Sequence, residues 1–140
     1  MIEPCHIDYR KIFKETRTIA VVGLSPKATR PSYQVAQYLV ENGYEIFPVN
    51  PGQESILGLT CYPNLQSVPA QIDLVDIFRN PRDVPEVVDS AIEVGAKIVW
   101  MQLGIIHEAA AEKARAAGLV VVMDRCLKID HQHLLSGELR

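Results

Sequence analysis

Basic charge is in short supply in this chain. Lys and Arg number 14 against 17 Asp and Glu, so the 140 residues carry a formal charge of −3. Such a balance gives no general attraction to nucleic acid or to an anionic membrane, and any basic character that matters is local. Long apolar runs are missing as well: none approaches the roughly 20 residues that span a bilayer. The N-terminus, Met1 to Asp8, mixes Glu3 and Asp8 with few apolar residues and does not read as a targeting segment. Cysteine is scarce. Cys5, Cys61 and Cys126 stand far apart with no Cys-x-x-Cys pair, which argues against a disulfide framework or a zinc ribbon and fits reduced thiols. No Gly-x-Ser-x-Gly elbow occurs, so a serine hydrolase lacks support. Internal repeats and low-complexity segments are absent too. The expectation is a cytoplasmic protein with neither nucleic acid nor membrane as partner.

What is present is an ordinary globular composition, 48% hydrophobic and 22% charged, in a length that fits one domain over residues 1–140. Strands and helices alternate along it. Asp8 to Glu15 reads as an opening helix, and Thr18 to Val22 as a strand buried on both faces that stops at Gly23. Pro31 to Asn42 is a helix stopped by Gly43, and Tyr44 to Val49 the second strand. Ser55 to Pro69 is an irregular connection with a short strand or turn near Gly58 to Cys61. Asp73 to Phe78 is the third strand. Pro81 leads into a helix carrying Val84, Val87, Val88, Ala91 and Ile92 and closed by Gly95. Lys97 to Met101 is the fourth strand, His107 to Ala117 an Ala-rich helix, Leu119 to Met123 the fifth strand, and Cys126 to Leu135 a last helix. The pattern predicts an α/β, Rossmann-like open parallel sheet of five strands, order 3-2-1-4-5, with helices on both faces. Ligands of such sheets sit at the strand C-termini by the switch point, expected here between strands one and four. That singles out the loops Gly23 to Ser32, Asn50 to Gln53, Phe78 to Pro81 and Gln102 to His107.

The first of these loops has the makings of a phosphate site. A β-branched run ends at Gly23, crosses a loop bearing Lys27 and Arg30, and enters a helix whose unpaired N–H groups favour an anion. The dinucleotide fingerprint does not follow. Gly23 is succeeded by Leu24-Ser25-Pro26-Lys27 without the second and third glycines, and the second strand ends in Asn50 where an NAD domain places a carboxylate. An NAD(P)-binding oxidoreductase is therefore the alternative reading, behind a ligand with more phosphate charge.

Gly23-Leu24-Ser25-Pro26-Lys27, Arg30-Pro31-Ser32-Tyr33, Val49-Asn50-Pro51, Gly58 with Cys61-Tyr62-Pro63, and Val99-Trp100-Met101-Gln102 stand in an order that resembles the small single-domain CoA-binding proteins. These are similar to the N-terminal CoA-binding domain of the succinyl-CoA synthetase α subunit, and the resemblance covers about residues 8 to 134. It implies that Gly23, Leu24, Ser25, Lys27, Arg30, Ser32 and Tyr33 wrap the pyrophosphate of coenzyme A. It further implies that Val49, Asn50 and Pro51 line the adenosine side and that Phe78, Arg79 and Asn80 close over the nucleotide. The thiol is then expected near the strand-four loop from Gln102 through Gly104 to Ile105. One position departs: relatives place a lysine after Val-Asn-Pro for the 3′-phosphate, and this chain has Gly52-Gln53. Either Lys27, Arg30 or Arg79 takes that phosphate, or CoA binds less tightly. The synthetase's phosphohistidine belongs to a domain outside this segment, so ligase activity is not expected of the chain by itself.

The remaining chemistry-bearing residues read as structural. Trp100 ends an apolar strand and suits the core. His107 opens a helix, and His131 and His133 point to different sides of one, so no metal site is expected. Cys126 beside Arg125 reads as a small buried residue rather than a reactive thiol. His107, Asp124 and Cys126 lie on separate segments with no catalytic pattern, which predicts a binder of CoA or acyl-CoA acting as carrier, sensor or accessory module. Leu103, Ile105 and Ile106 offer an apolar surface at the mouth for an acyl chain, a protein partner or a second copy of the chain.

Overall fold

The computed structural model describes residues 7–137, so Cys5 and the first residues of the N-terminal reading lie outside them. Helix α1 runs over Tyr9–Glu15, with the Asp8 carboxylate accepting from the N–H of Lys11 as its cap. Strand β1, Thr18–Val22, leads to α2, Pro31–Glu41, and then β2, Glu45–Val49. The connection that follows holds a small hairpin, β3 Ser55–Ile56 with β4 Leu59–Thr60, and a 3₁₀ turn at Leu65–Ser67. Next come β5 Leu74–Ile77, a 3₁₀ turn Pro81–Asp83, α3 Val84–Glu93, β6 Ile98–Met101, α4 Glu108–Ala116, β7 Val120–Val122 and α5 Leu127–Ser136. No helix among the described residues is long and apolar enough to cross a membrane.

The main sheet is parallel throughout and ordered β2-β1-β5-β6-β7. Beyond β2 a single parallel bridge joins Val49 to Tyr62. With the Tyr62 segment counted as the third place, the sheet follows the 3-2-1-4-5 pattern and adds β7 outside it. What changes is who fills the places. The Asp73–Phe78 strand takes the fourth place, directly beside β1 in the register Val21↔Asp76 and Val22↔Ile77, and the Lys97–Met101 strand moves one position outward. The switch point therefore lies between β1 and β5. Periodicity reveals that a strand exists but not which neighbour it pairs with, and the near-vestigial third strand hid the crossover.

Alternation along the strands feeds two cores. Ile19, Val21, Ile46, Leu74 and Trp100 pack with α1, α2 and α5 on one face. Ala20, Val22, Phe47, Val75 and Val99 pack with α3 and α4 on the other. Trp100 is fully buried, flanked by the rings of Tyr9 and Phe13, and its indole N–H donates to the Arg125 carbonyl at 2.8 Å. Near it His131 sits among Phe13, Tyr38 and Tyr44, with Nδ1 2.6 Å from the Tyr38 hydroxyl, and burial lowers its pKa.

One residue breaks the apolar alternation. Asp76 of β5 lies between Val21 and Trp100 in register, is fully buried, and neither carboxylate oxygen has a hydrogen-bond partner among the described residues. Burial raises its pKa well above the usual 3.8, because the charged form loses its hydration with nothing in exchange. A folded-state pKa above the unfolded one means stability is lost as pH rises from 3.8 toward the folded value. Asp76→Asn, close in shape to the neutral acid, is expected to be more stable than the parent at pH 8, with the gain shrinking toward zero as pH falls below 4. Denaturant midpoints of the two proteins across that range check it, and a gain that grows toward acid pH contradicts it.

Candidate functional site

The β1 and β5 loops meet at the switch point, and a glycine makes the meeting possible. Gly23 adopts φ +87°, and a Cβ there would stand 2.2 Å from the Phe78 carbonyl oxygen and 2.9 Å from Arg79 Cδ. Positive φ is strained for any L side chain, and a contact of 2.2 Å is impossible without moving the β5 loop. The missing side chain thus makes room for a neighbouring stretch of the same chain. The N–H of Gly23 donates to Val49 O at 2.9 Å, and that of Phe78 to Val22 O at 2.9 Å, so three strand ends are held at one point.

From Gly23 the loop folds on itself. The Ser25 N–H donates to Ser32 Oγ at 3.0 Å and the Lys27 N–H to Ser25 Oγ at 3.1 Å, so these two hydroxyls shape the loop. Ser32 is buried beneath it. Helix α2 then starts with Pro31 in its first turn, and no side chain caps it. Its first N–H groups and the positive end of its dipole therefore face the loop without an internal partner. Lys27 and Arg30 are exposed, and no carboxylate pairs with either among the described residues. Tyr33 lies half-buried against the α2-side core, and Leu24 is wholly buried, so Leu24 presents only its backbone.

Asn50 works as a rivet. Its Nδ2 donates to Leu24 O at 2.9 Å, its Oδ1 accepts from Gly52 N–H at 3.1 Å, and its carbonyl accepts from Cys61 Sγ at 3.4 Å. Burial pushes the Cys61 thiol up, which keeps it a neutral donor. Asn80 is engaged too: its Oδ1 accepts from Arg82 N–H and caps the 3₁₀ turn. Arg79 reaches back to Asp83, Nη2 to Oδ2 3.4 Å, with both side chains more than a third exposed, a pairing worth little in water. Below these residues opens a cleft of about 200 Å³, lined by Val22, Val49, Pro51, Leu65, Arg79 and Ser90 among others. Pro63, Asn64, Leu65, Glu86 and Ser90 belong to it and escaped the loop-by-loop reading, although Cys61-Tyr62-Pro63 sat within the motifs that carried the resemblance.

Gln102 and Gly104 follow β6, one strand outward from this centre, and the Gln102 N–H donates to Ile77 O at 3.3 Å. Gln102 is buried, its Oε1 accepts from the Leu127 N–H at the start of α5, and Gly104 donates to Asp124 Oδ1 at 2.7 Å. The shift of β6 one place outward carries both residues away from the switch point. In the same region Leu103 is 66% exposed and Ile106 47%. His107 caps α4, its Nδ1 accepting from the Ala110 N–H, and no hydrogen bond joins His107, Asp124 and Cys126 to one another among the described residues.

A parallel α/β sheet whose glycine-ended first strand runs into an uncapped helix beneath two unpaired cations defines a Rossmann-like nucleotide-binding domain. The chain belongs to the CoA binding domain family, which matches it over residues 17–132. It is 40% identical to a hypothetical protein from Pyrococcus horikoshii OT3, whose structure superposes with a TM-score of 0.91 over 96% of this chain and 99% of that one. It is also 34% identical over 131 residues to the uncharacterised protein YneT of Bacillus subtilis, covering 94% of this chain and 97% of that one. Over 92 residues it is 34% identical to the ADP-forming acetate–CoA ligase II of Archaeoglobus fulgidus, spanning 64% of this chain but only 14% of the ligase. The domain is thus homologous to the CoA-binding, succinyl-CoA synthetase-like domain of such ligases.

The Gly23 geometry makes a direct prediction. Gly23→Ala is expected to cost about 2 to 4 kcal/mol, from backbone strain and the collision with Phe78 O. Thermal denaturation measures the loss, and the amide resonances of Phe78 and Arg79 should move with it. A variant as stable as the parent contradicts the contact.

Proposed function

We propose that this protein binds coenzyme A or an acyl-CoA and itself makes and breaks no bond. The observation that carries the reading is the loop after Gly23: two cations without carboxylate partners beside an uncapped helix start, in a chain whose family is CoA-binding. Gly23, Leu24, Ser25, Lys27, Arg30, Ser32 and Tyr33 form the pyrophosphate cradle, Ser25 and Ser32 by holding its shape and Lys27 and Arg30 by charge. Val49, Asn50 and Pro51 with the 200 Å³ cleft take the adenosine end. That volume is below the roughly 300 Å³ at which whole-ligand pockets begin, which fits a site holding one end of an extended molecule. Phe78 and Asn80 close over the nucleotide. Arg79, held only by a half-exposed pair with Asp83, is free to swing to the 3′-phosphate that Gln53 cannot neutralise.

The pantetheine arm then runs toward Gln102 and Gly104, where Leu103 and Ile106 give an acyl chain or a protein partner an apolar surface. The absence of catalysis rests on His107 Nδ1 being engaged in capping α4, on Asp124 Oδ1 accepting from the Gly104 N–H, and on Cys126 having no base hydrogen-bonded to it among the described residues. A carrier, a sensor and an accessory module of a ligase-like assembly, acting in the cytoplasm, all fit this reading.

Calorimetric titration tests it. CoA is expected to bind about 10- to 150-fold more tightly than dephospho-CoA or NAD, because one charge-assisted phosphate contact contributes about 1.5 to 3 kcal/mol. Lys27→Ala with Arg30→Ala is expected to lower CoA affinity by at least that much without unfolding the domain. NAD binding as tightly as CoA overturns the assignment. Steady turnover of acyl-CoAs, or of free acids with CoA and a nucleoside triphosphate, that vanishes in Cys126→Ser or His107→Ala overturns the non-catalytic part.

A further inference from the structure

Helix α5 covers the α1 and α2 face of the sheet, and a histidine stands where it meets the other elements. Its buried residues are Leu127, Asp130 and His131. The His131 ring packs edge-on with Phe13 of α1 at 5.1 Å between centroids, with Tyr38 of α2 at 5.4 Å, and with Tyr44, just before β2, at 5.7 Å. Its Nδ1 is 2.6 Å from the Tyr38 hydroxyl, and 7% of the residue is exposed. One titratable ring thus joins α5 to three other segments.

The surroundings suit that ring in its neutral form. Burial holds the Tyr38 and Tyr44 phenols above their usual pKa, so both are uncharged, and the Tyr44 hydroxyl donates to the Phe13 carbonyl at 2.9 Å. A neutral imidazole can accept the Tyr38 O–H at Nδ1, whereas in an imidazolium both nitrogens carry a proton and that bond must reverse. No carboxylate pairs with His131 among the described residues. Asp130 beside it is held by Arg125 through bonds of 2.6 and 3.0 Å, and Glu41 of α2 and Glu45 of β2 are exposed. Lys128 of α5 brings a cation to the same cluster, its Nζ 5.8 Å over the Tyr38 ring. Lys14, after Phe13, and His133 are exposed. Burial accordingly lowers the His131 pKa from its usual 6.5. With the folded-state pKa below the unfolded one, this part of the docking energy is whole above pH 6.5 and is lost as pH falls from there toward the folded value.

We propose that His131 is a proton-operated latch, through which acid releases α5 from the α1 and α2 face while the parallel sheet stays paired. Helix α5 lends no strand to the sheet, so it can open without breaking a ladder. The chain that enters α5 holds two groups of β6 and its loop: Arg125 O accepts from the Trp100 indole, and the Leu127 N–H donates to Gln102 Oε1. Opening the latch therefore loosens the end of β6 as well. None of this depends on the CoA reading.

Amide hydrogen exchange of the full chain at pH 7.5, 6.5 and 5.5, scaled by the intrinsic rate at each pH, is the test, with His131→Phe as the non-titrating control. In the parent, protection of the Asp130 and Leu134 amides is expected to fall about five- to tenfold from pH 7.5 to 5.5, as one proton taken up on opening requires. In His131→Phe the fall should vanish. Ala20 and Val75 should stay better protected than α5 at each pH, which marks the opening as local. The proposal fails if α5 protection is flat or rises toward acid, the latter showing that the aromatic rings stabilise the imidazolium. It fails equally if His131→Phe keeps the slope, or if Ala20 and Val75 exchange as fast as α5. Should His131→Phe not fold, the titration of the His131 ring resonances in the parent decides in its place, a midpoint at or above 6.5 overturning the latch.

Discussion

The site is built around a single van der Waals contact between backbones, Gly23 against the carbonyl of Phe78. Any larger residue at that point would push the β5 loop off the β1 loop and open the crevice from its base. Because the contact is made without side chains, β1 and β5 deliver their loops to one place at a fixed distance. The Asn50 amide then ties the β2 loop to Leu24 from the other side. Three strand ends are locked by hydrogen bonds of 2.9 Å, and the groups that bear charge, Lys27 and Arg30, are left out of the locking. Positioning and charge are thus assigned to different atoms, and a ligand phosphate meets a frame that is already set and cations that are not engaged elsewhere.

The two faces of the sheet solve the problem of buried polarity differently. On the α3 and α4 side the core is almost wholly aliphatic. On the other side Trp100, His131 and Tyr44 carry polar atoms into the interior, and each finds a partner: Arg125 O, the Tyr38 hydroxyl and Phe13 O. Arg125 in turn is fixed to Asp130 by two bonds of 2.6 and 3.0 Å, which seats α5 on that face. Asp76, beside Trp100 in register and hydrogen-bonded to none of these groups, is the unpaid member of the core.

Much of this was legible before any coordinates. The apolar run of β1, Pro31 at the entrance of α2, and the glycines that end helices announce their elements by local chemistry alone. Lateral order was less legible, because β5 carries no mark of pairing with β1 and the third strand is reduced to one bridge at Tyr62. Polar residues at strand ends were the other ambiguity. Asn50, Asn80 and Gln102 are the residue types that hold ligands, and they are equally the types that cap turns and helices; here each has an oxygen or amide committed to the backbone. Asp76 and Thr16 escaped the reading for the opposite reason. A lone carboxylate in a strand and a lone hydroxyl after a helix look unremarkable in sequence, and only their burial without partners singles them out.

The Tyr62 bridge has a consequence for how the molecule behaves among its own kind. A parallel sheet exposes two flanks of unpaired amides and carbonyls, each a template on which another chain can grow. On one flank Tyr62 pairs with Val49, and the β3–β4 hairpin lies in the same connection. On the other flank β7 is only three residues long, too short to offer more than a turn's worth of ladder. The sheet therefore ends where it does, and fibre growth by strand addition finds no long edge to start from.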